Sequence, residues 1–167
     1  MNHAFVEKFQ VVAGFVPVNM ASGAPTSDIV SLKNYGRCTI LFFKAAGTNG
    51  DDPTITVTQK TAVGGTTSKA VNFTRVDKKQ GAALNAIGQF TEVTQAAGNT
   101  FTHADLAEQQ AIIAIDVKAE DLDGDGGYDS IQASVGDVGT NSQLGCLLYI
   151  LSEPRNASNP LPSAIVD

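Results

Sequence analysis

A short acidic stretch at residues 119–130, with the sequence AEDLDGDGGYDS, is rich in side chains that could bind a metal ion. The residues that carry this pattern are Asp121, Asp123, Asp125, Gly126 and Asp129. An EF-hand calcium loop begins in the same way, with oxygen ligands at positions 1, 3 and 5 and a glycine at position 6. Calcium binding is therefore the first chemical hypothesis for this sequence.

The elements around the stretch do not complete an EF-hand. Position 12 is Gln132, which cannot supply the bidentate carboxylate that the loop needs. The flanking segments 111–119 and 128–135 alternate apolar and polar residues, as strands do, whereas an EF-hand requires helices. We therefore expect an acidic turn between two strands and no cofactor. Calcium on the four aspartates stays an open alternative, because a cation would relieve the repulsion between them.

Catalytic patterns are scarce elsewhere in the chain. The two histidines, His3 and His103, do not lie near a nucleophile in any known arrangement. A pair of carboxylates drawn from Asp116, Glu120 and Asp129 is the enzymatic alternative that remains. Surface acids serve solvation more often than catalysis, so the sequence predicts a protein that is not an enzyme.

Strands dominate the elements that would position these residues. Alternating or continuously apolar segments predict about eight strands, at residues 9–18, 37–44, 54–60, 70–76, 88–95, 111–119, 128–135 and 144–152. Turn-rich spacers recur between them, which favours an all-β protein, either an antiparallel β-sandwich or a jelly-roll-like barrel. At most one short helix is expected, at residues 102–111 with Thr102 as its N-cap.

The two ends of the chain differ from the middle. We expect an N-terminal strand or arm at residues 1–27, a β-sandwich domain at 28–152, and an extended proline-rich tail at 153–167. Such arms could lie on a neighbouring subunit. The residues predicted to make this contact are Phe5, Phe9, Phe15, Leu161, Ile165 and Val166. Core packing within the first strand is the alternative for Phe9 and Phe15.

Composition limits the class of protein and of partner. The chain has 167 residues, of which 43% are apolar and 17% charged, as expected for one folded domain. A net charge of −6 argues against nucleic-acid binding, and no apolar run approaches the roughly 18 residues that span a membrane. Cys38 and Cys146 lie in apolar strands, which favours free thiols over a disulfide.

Charge is divided unevenly along the sequence. Residues 1–80 hold nine Lys and Arg against five Asp and Glu, whereas residues 81–167 hold two against twelve. If the two halves formed different faces, copies of the protein could associate through opposite charges. Self-association is therefore one expectation from the sequence.

Two segments resemble those of small virion structural proteins of tailed bacteriophages. They are DIVSLKNYGRCTILFFKAAGTNGDDPTITVTQ at residues 28–59 and DVGTNSQLGCLLYILSEPR at residues 137–155, followed by the proline-rich end. The resemblance covers most of residues 28–160 in style and segment order and includes no catalytic or ligand motif. A sandwich of this size is similar to head decoration or cement proteins, which clamp neighbouring subunits on the outside of an expanded capsid.

This resemblance implies partners and a location. The partners would be the major capsid protein or other virion proteins, together with further copies of the chain, as a homotrimer. The protein would be made in the cytoplasm of the bacterial host and reside in the virion. One alternative is a tail, neck or baseplate component. Another is a calcium-dependent β-sandwich module that binds a carbohydrate or a surface, with Tyr128 as the aromatic residue beside the acidic stretch.

Overall fold

The computed structural model describes residues 4–136, 138–156 and 158–166. These residues form β-strands and four single-turn 3-10 helices, and they contain no α-helix. No helix in these ranges is long and apolar enough to cross a membrane. The strands are Gln10–Asn19 (β1), Val30–Ser31 (β2), Tyr35–Lys44 (β3), Ile55–Lys60 (β4), Ser68–Ala70 (β5), Phe73–Gly81 (β6), Thr91–Gly98 (β7), Thr100–Phe101 (β8), Gln110–Lys118 (β9), Ser130–Val135 (β10) and Leu144–Pro154 (β11).

Two antiparallel sheets confirm the predicted all-β sandwich. The six-stranded sheet has the order β1-β11-β3-β9-β6-β7, and the five-stranded sheet has the order β2-β10-β4-β5 with β8 paired to β4. Each of the eight predicted segments contains or overlaps one of the longer strands. The three strands beyond the prediction, β2, β5 and β8, are two or three residues long.

Alternation along each strand separates the core from the surface. In β11, Leu147, Tyr149 and Leu151 are fully buried, whereas the residues between them are half-buried on the opposite side of the sheet. In β4, Ile55 and Val57 point into the same core from the other sheet. Because the side-chain period of a strand is two, one apolar face per sheet suffices to build this core.

Tyr149 links the two sheets through its hydroxyl group. The oxygen accepts a hydrogen bond from the backbone N–H of Ala133 in β10 at 2.8 Å and donates to the carbonyl of Asp28 at 3.0 Å. The Ser27 hydroxyl lies 3.2 Å away. Burial raises the pKa of Tyr149 above its usual range, so the neutral phenol is retained. The hydroxyl group of Tyr149 therefore has hydrogen-bond partners even though it lies within an apolar core.

Strand β1 bends at two irregularities in its pairing with β11, one of them between Ala13 and Phe15. A Cβ atom at Gly14 would clash with Cδ2 of Leu147, whose side chain is fully buried, so glycine fits this close approach. The carbonyl of Gly14 accepts a hydrogen bond from the N–H of Asp28. Phe15 is buried in the core, which corrects the expectation that it faces a partner.

The prediction of a helix at residues 102–111 is wrong. The chain runs through turns from Ala104 to Glu108, and β9 begins at Gln110. Asp105 has a positive φ of 67°, which interrupts a right-handed helix within its first turn. Leu106 is fully buried and anchors these turns to the core.

Lys44, the last residue of β3, holds the same turns in place. Its side chain is 1% exposed, although lysine is rarely buried. The ammonium group donates three hydrogen bonds to backbone carbonyls, those of Leu106 at 2.5 Å, Ala107 at 3.2 Å and Gln109 at 2.6 Å. Carbonyls that a helix would have paired internally are therefore paired with a side chain.

The C-terminal tail folds back onto its own domain. Leu161 and Ala164 are buried in the core, which corrects the expectation that Leu161 contacts a partner. The carbonyl of Ala164 accepts a hydrogen bond from the N–H of Ser31 at 2.7 Å, and the hydroxyl of Tyr35 donates to the carbonyl of Pro162. Burying these apolar side chains at the open edge of β2 stabilises the tail more than leaving them in water.

Candidate functional site

The acidic stretch connects the two sheets. It leaves β9 of the six-stranded sheet, passes through a 3-10 turn at Ala119–Asp121, and enters β10 of the five-stranded sheet. Leu122 is buried and fastens the stretch to the core. The N–H of Asp123 donates to Oε1 of Gln59 at 2.7 Å, and the amide group of Gln59 donates to the carbonyl of Ala70. Strands on both sides confirm that this is not a helix-loop-helix.

The predicted ligands are held apart by separate partners. Asp123 forms a 2.6 Å ion pair with Lys69 and accepts the N–H of Gly126. These contacts hold the pKa of the Asp123 carboxyl below its usual range. Asp129 pairs with Lys33 at 3.4 Å.

The other two predicted ligands, Asp121 and Asp125, do not form a common site with Asp123 and Asp129. Asp121 accepts the backbone N–H of Lys118 at 3.2 Å, and Asp125 is exposed. Across residues 4–136, 138–156 and 158–166, no three carboxylate, imidazole or thiol groups converge to hold a metal ion. The stretch has the geometry of an acidic turn.

Backbone hydrogen bonds explain the glycines of this turn. The N–H groups of Gly126 and Tyr128 both donate to the carbonyl of Asp123, and Gly127 has a positive φ of 78°. A Cβ atom at Gly126 would lie 2.6 Å from Oδ2 of Asp123. The similarity to an EF-hand therefore arises because a tight turn also needs aspartate and glycine at these spacings.

A groove of about 900 Å³ lies beside the acidic turn. Its lining includes Arg37, Lys69, Arg75, Asp77, Asp116, Asp121 and Asp123. The cations and anions pair with each other: Arg37 with Asp116 at 3.4 Å, and Arg75 with Asp77 at 2.9 Å. Because these charges are mutually satisfied, the groove presents a balanced polar surface.

His103 is the histidine within the described residues, since His3 lies outside them. Its Nε2 atom lies 2.8 Å from the ammonium group of Lys78, which can only donate, so Nε2 accepts. Nδ1 then carries the proton and donates to the carbonyl of Ala104. With its lone pair used by Lys78, the imidazole is not placed to accept a proton from a nucleophile in this structure.

The other predicted contact residues lie on or near the surface. The ring of Phe5, which is 54% exposed, stacks on that of Phe9 with centroids 4.9 Å apart. Phe9 itself is half-buried. At the other end of the chain, Ile165 and Val166 are exposed. Sequence reasoning did not single out Val6, which is also exposed and extends the apolar surface of the N-terminal turn.

A series of contacts links the N-terminal turn to the tail through the end of β11 and the start of β3. Phe9 lines a hollow together with Ser152–Pro154, at the end of β11. Pro154 pairs with Tyr35 at the start of β3, and Tyr35 in turn bonds Pro162 of the tail. We call the exposed apolar side chains of the N-terminal turn and of the tail the terminal cluster, which comprises Phe5, Val6, Ile165 and Val166.

A second exposed apolar surface was not predicted from the sequence. Phe43 and Leu144 are 48% and 53% exposed on the outer side of the six-stranded sheet. The continuous apolar run RCTILFFK at residues 37–44 predicts a strand, but it does not show which of its apolar residues face solvent. The signal that could have identified this surface is the run itself, because a strand with one solvated face usually alternates apolar and polar residues.

Known proteins add no further assignment to this geometry. No family model, no curated protein and no solved structure matches this chain.

Proposed function

We propose that this protein is a non-enzymatic structural component of a bacteriophage virion. It is a decoration or cement protein that binds the outside of the expanded head and bridges neighbouring capsid subunits. The proposal joins the sequence resemblance to the terminal cluster, which is the single structural observation that carries it.

The terminal cluster suits attachment to a protein lattice. Its four side chains are large and apolar, and they are exposed on the N-terminal turn and on the tail. Val166, for example, is 66% exposed. Covering a valine or phenylalanine of this kind contributes roughly 1.5–3 kcal/mol. The domain can therefore dock by these exposed apolar side chains while the rest of its surface faces solvent.

The mechanism of stabilisation is mass action. A protein that binds the expanded lattice and not the unexpanded one stabilises the expanded form by the free energy of binding. One such contact is modest, but many copies on one particle act together. No bond is made or broken in this mechanism, so it needs no catalytic residue.

Binding of the purified protein to phage particles tests the proposal. Heads and tails are separated from virions of the phage that encodes the chain, and bound protein is measured by co-sedimentation. We expect binding to expanded heads and not to unexpanded procapsids. Val166→Glu and Phe5→Glu should weaken this binding at least tenfold, because each buries a charge in place of an apolar group.

A matched control is Thr140→Glu, which adds the same charge at an exposed position in the turn before β11. It should bind as the unchanged protein does. Binding to tails alone would replace the head proposal with the tail, neck or baseplate alternative. Failure to bind any particle, or equal binding by Val166→Glu, would refute a role for the terminal cluster in the virion.

A further inference from the structure

One face of the six-stranded sheet points away from the five-stranded sheet and carries a continuous apolar part. We call it the outer face: the side chains of this sheet that point away from the five-stranded sheet. Strand register places two apolar rows across β11, β3 and β9, toward the end of the sheet where β3 ends. One row is Cys146, Phe43 and Ile112; the next is Leu148, Leu41 and Ala114.

These rows end in a hollow that a partner side chain could fill. The hollow has a volume of about 320 Å³ and is lined mainly by apolar groups, among them Pro17, Phe43, Leu144 and Cys146. Phe43 and Leu144 stand at its rim and are about half exposed. Most solvated sheet faces carry polar residues at these positions, so this face is unusual for a surface in contact with water.

The rest of the outer face carries charged residues, and its positive and negative side chains pair with each other. Arg37 pairs with Asp116 at 3.4 Å, and Arg75 bridges Asp77 at 2.9 Å and Glu92 at 3.0 Å. Lys79 lies 4.9 Å above the ring of Phe90. Although the chain carries a net charge of −6, the outer face has nearly equal numbers of cations and anions. Two such faces can approach each other without the repulsion that other pairs of surfaces of this acidic protein would meet.

The area of the outer face also matches what a stable pair needs. Six strands about 4.8 Å apart and about 25 Å long cover roughly 700 Å². A standard protein interface buries about 800 Å² on each partner. The two apolar rows lie on three of the six strands, so an interface would need the charged part of the face as its rim.

We propose that the occupant of the outer face is the outer face of a second copy of this chain. The two six-stranded sheets pack face to face about a two-fold axis, as the layers of a sandwich do. The apolar rows of the two copies cover each other, and a side chain from each copy enters the hollow of the other. This pairing is a property of the protein alone and does not depend on a phage head.

The solution mass of the purified protein tests the pairing. At micromolar concentration, light scattering should give twice the monomer mass of 17.4 kDa. Phe43→Glu and Leu144→Glu should each give the monomer mass, because a charge buried between two apolar surfaces cannot be solvated. Thr66→Glu, at an exposed turn that leads into β5 of the other sheet, is the matched control and should keep the double mass.

Reactivity of Cys146 gives a second, independent measurement. This thiol is half-buried on the outer face, whereas Cys38 is fully buried within the sandwich. Alkylation of Cys146 should become slower as the protein concentration rises, and it should be independent of concentration in Phe43→Glu. Circular dichroism verifies that each variant is folded.

Three results would overturn the inference. They are a monomer at every concentration, a trimer in place of a dimer, and a Phe43→Glu protein that is folded and retains the double mass. None of these results bears on whether the terminal cluster binds phage heads, because the mass is measured without particles.

Discussion

The Lys44 ammonium is a buried positive charge held by backbone carbonyls. Burial lowers the pKa of Lys44 to about 8, although the nearby carboxylates of Asp52 and Glu108 oppose this shift. In the unfolded chain the same group keeps its proton up to about pH 10.4. Between these values the unfolded state binds more protons than the folded state. The contribution of Lys44 to the free energy of unfolding therefore rises with pH over this interval.

Lys44→Met isolates this effect. The methionine keeps most of the volume of the side chain but cannot titrate, and it leaves three carbonyls without their donor. We expect the unfolding free energy of the unchanged protein, relative to Lys44→Met, to increase by about 2 kcal/mol from pH 7 to pH 9.5. Urea unfolding curves of both proteins at several pH values measure the difference.

Other groups also titrate in this range, so the comparison between the two proteins is essential. Burial raises the pKa of the Cys38 thiol, which makes the folded state less stable above pH 9 in both proteins alike. That contribution cancels in the difference. A difference that stays constant with pH would mean that Lys44 does not titrate in the folded protein below pH 9.5.

At the scale of the element, the acidic turn shows that the aspartate and glycine spacing of an EF-hand loop also occurs in a tight turn between two strands. Asp123 caps the turn through the N–H of Gly126 and is neutralised by Lys69 from β5. Lys33 approaches Asp129 from the segment after β2. Two lysines that are distant in sequence thus supply the positive charge that a calcium ion would have supplied.

Calcium should therefore have no effect on this element. We expect the same melting temperature in EDTA and in millimolar calcium, measured by circular dichroism. Asp123→Asn should lower the melting temperature, because it loses the negative charge that pairs with Lys69 and strengthens the hydrogen bond from the N–H of Gly126. Asp125→Asn, at an exposed position of the same turn, is the matched control and should leave it unchanged. A melting temperature that rises with calcium concentration, and no longer does so in Asp125→Asn, would restore the calcium hypothesis.

Element prediction succeeded where a segment was long enough to show its period. Strands such as β9 and β11 have nine or eleven residues, and their alternation or apolar continuity is visible without any partner. Strand β8 has two residues, Thr100 and Phe101, which is too short for any period. The prediction of a helix at 102–111 failed because its capping pattern is local, whereas the carbonyls of this segment bond to Lys44, which lies 62 to 65 residues earlier in the chain.

At the scale of the whole molecule, the tail is part of the domain. Leu161 and Ala164 fill the core beside β2, and the tail is bonded to Ser31 and Tyr35. Removing such a segment opens the core to water along that edge. The sequence had suggested instead an extended tail at residues 153–167 that could lie on a neighbouring subunit.

Ending the chain at Asn156 should therefore destabilise the fold. Loss of one buried leucine and two hydrogen bonds is expected to lower the unfolding free energy by about 3–5 kcal/mol, which urea unfolding measures. The matched control is a full-length chain with Ile165→Ser and Val166→Ser, since both residues are exposed. It should unfold at the same urea concentration as the unchanged protein. Equal midpoints for the truncated and full-length chains would show that the tail is dispensable.

The sequence by itself determined the strand class, the eight main segments and the acidic turn between β9 and β10. Each of these depends on the pattern of residues within about ten positions, which steric and solvation preferences translate directly into local structure. Only the tertiary structure decided the strand order, the burial of Lys44 and Leu161, and the apolar outer face. These depend on pairs such as Tyr35 and Pro162, 127 residues apart, whose contact is set by how the two sheets and the tail close on one another.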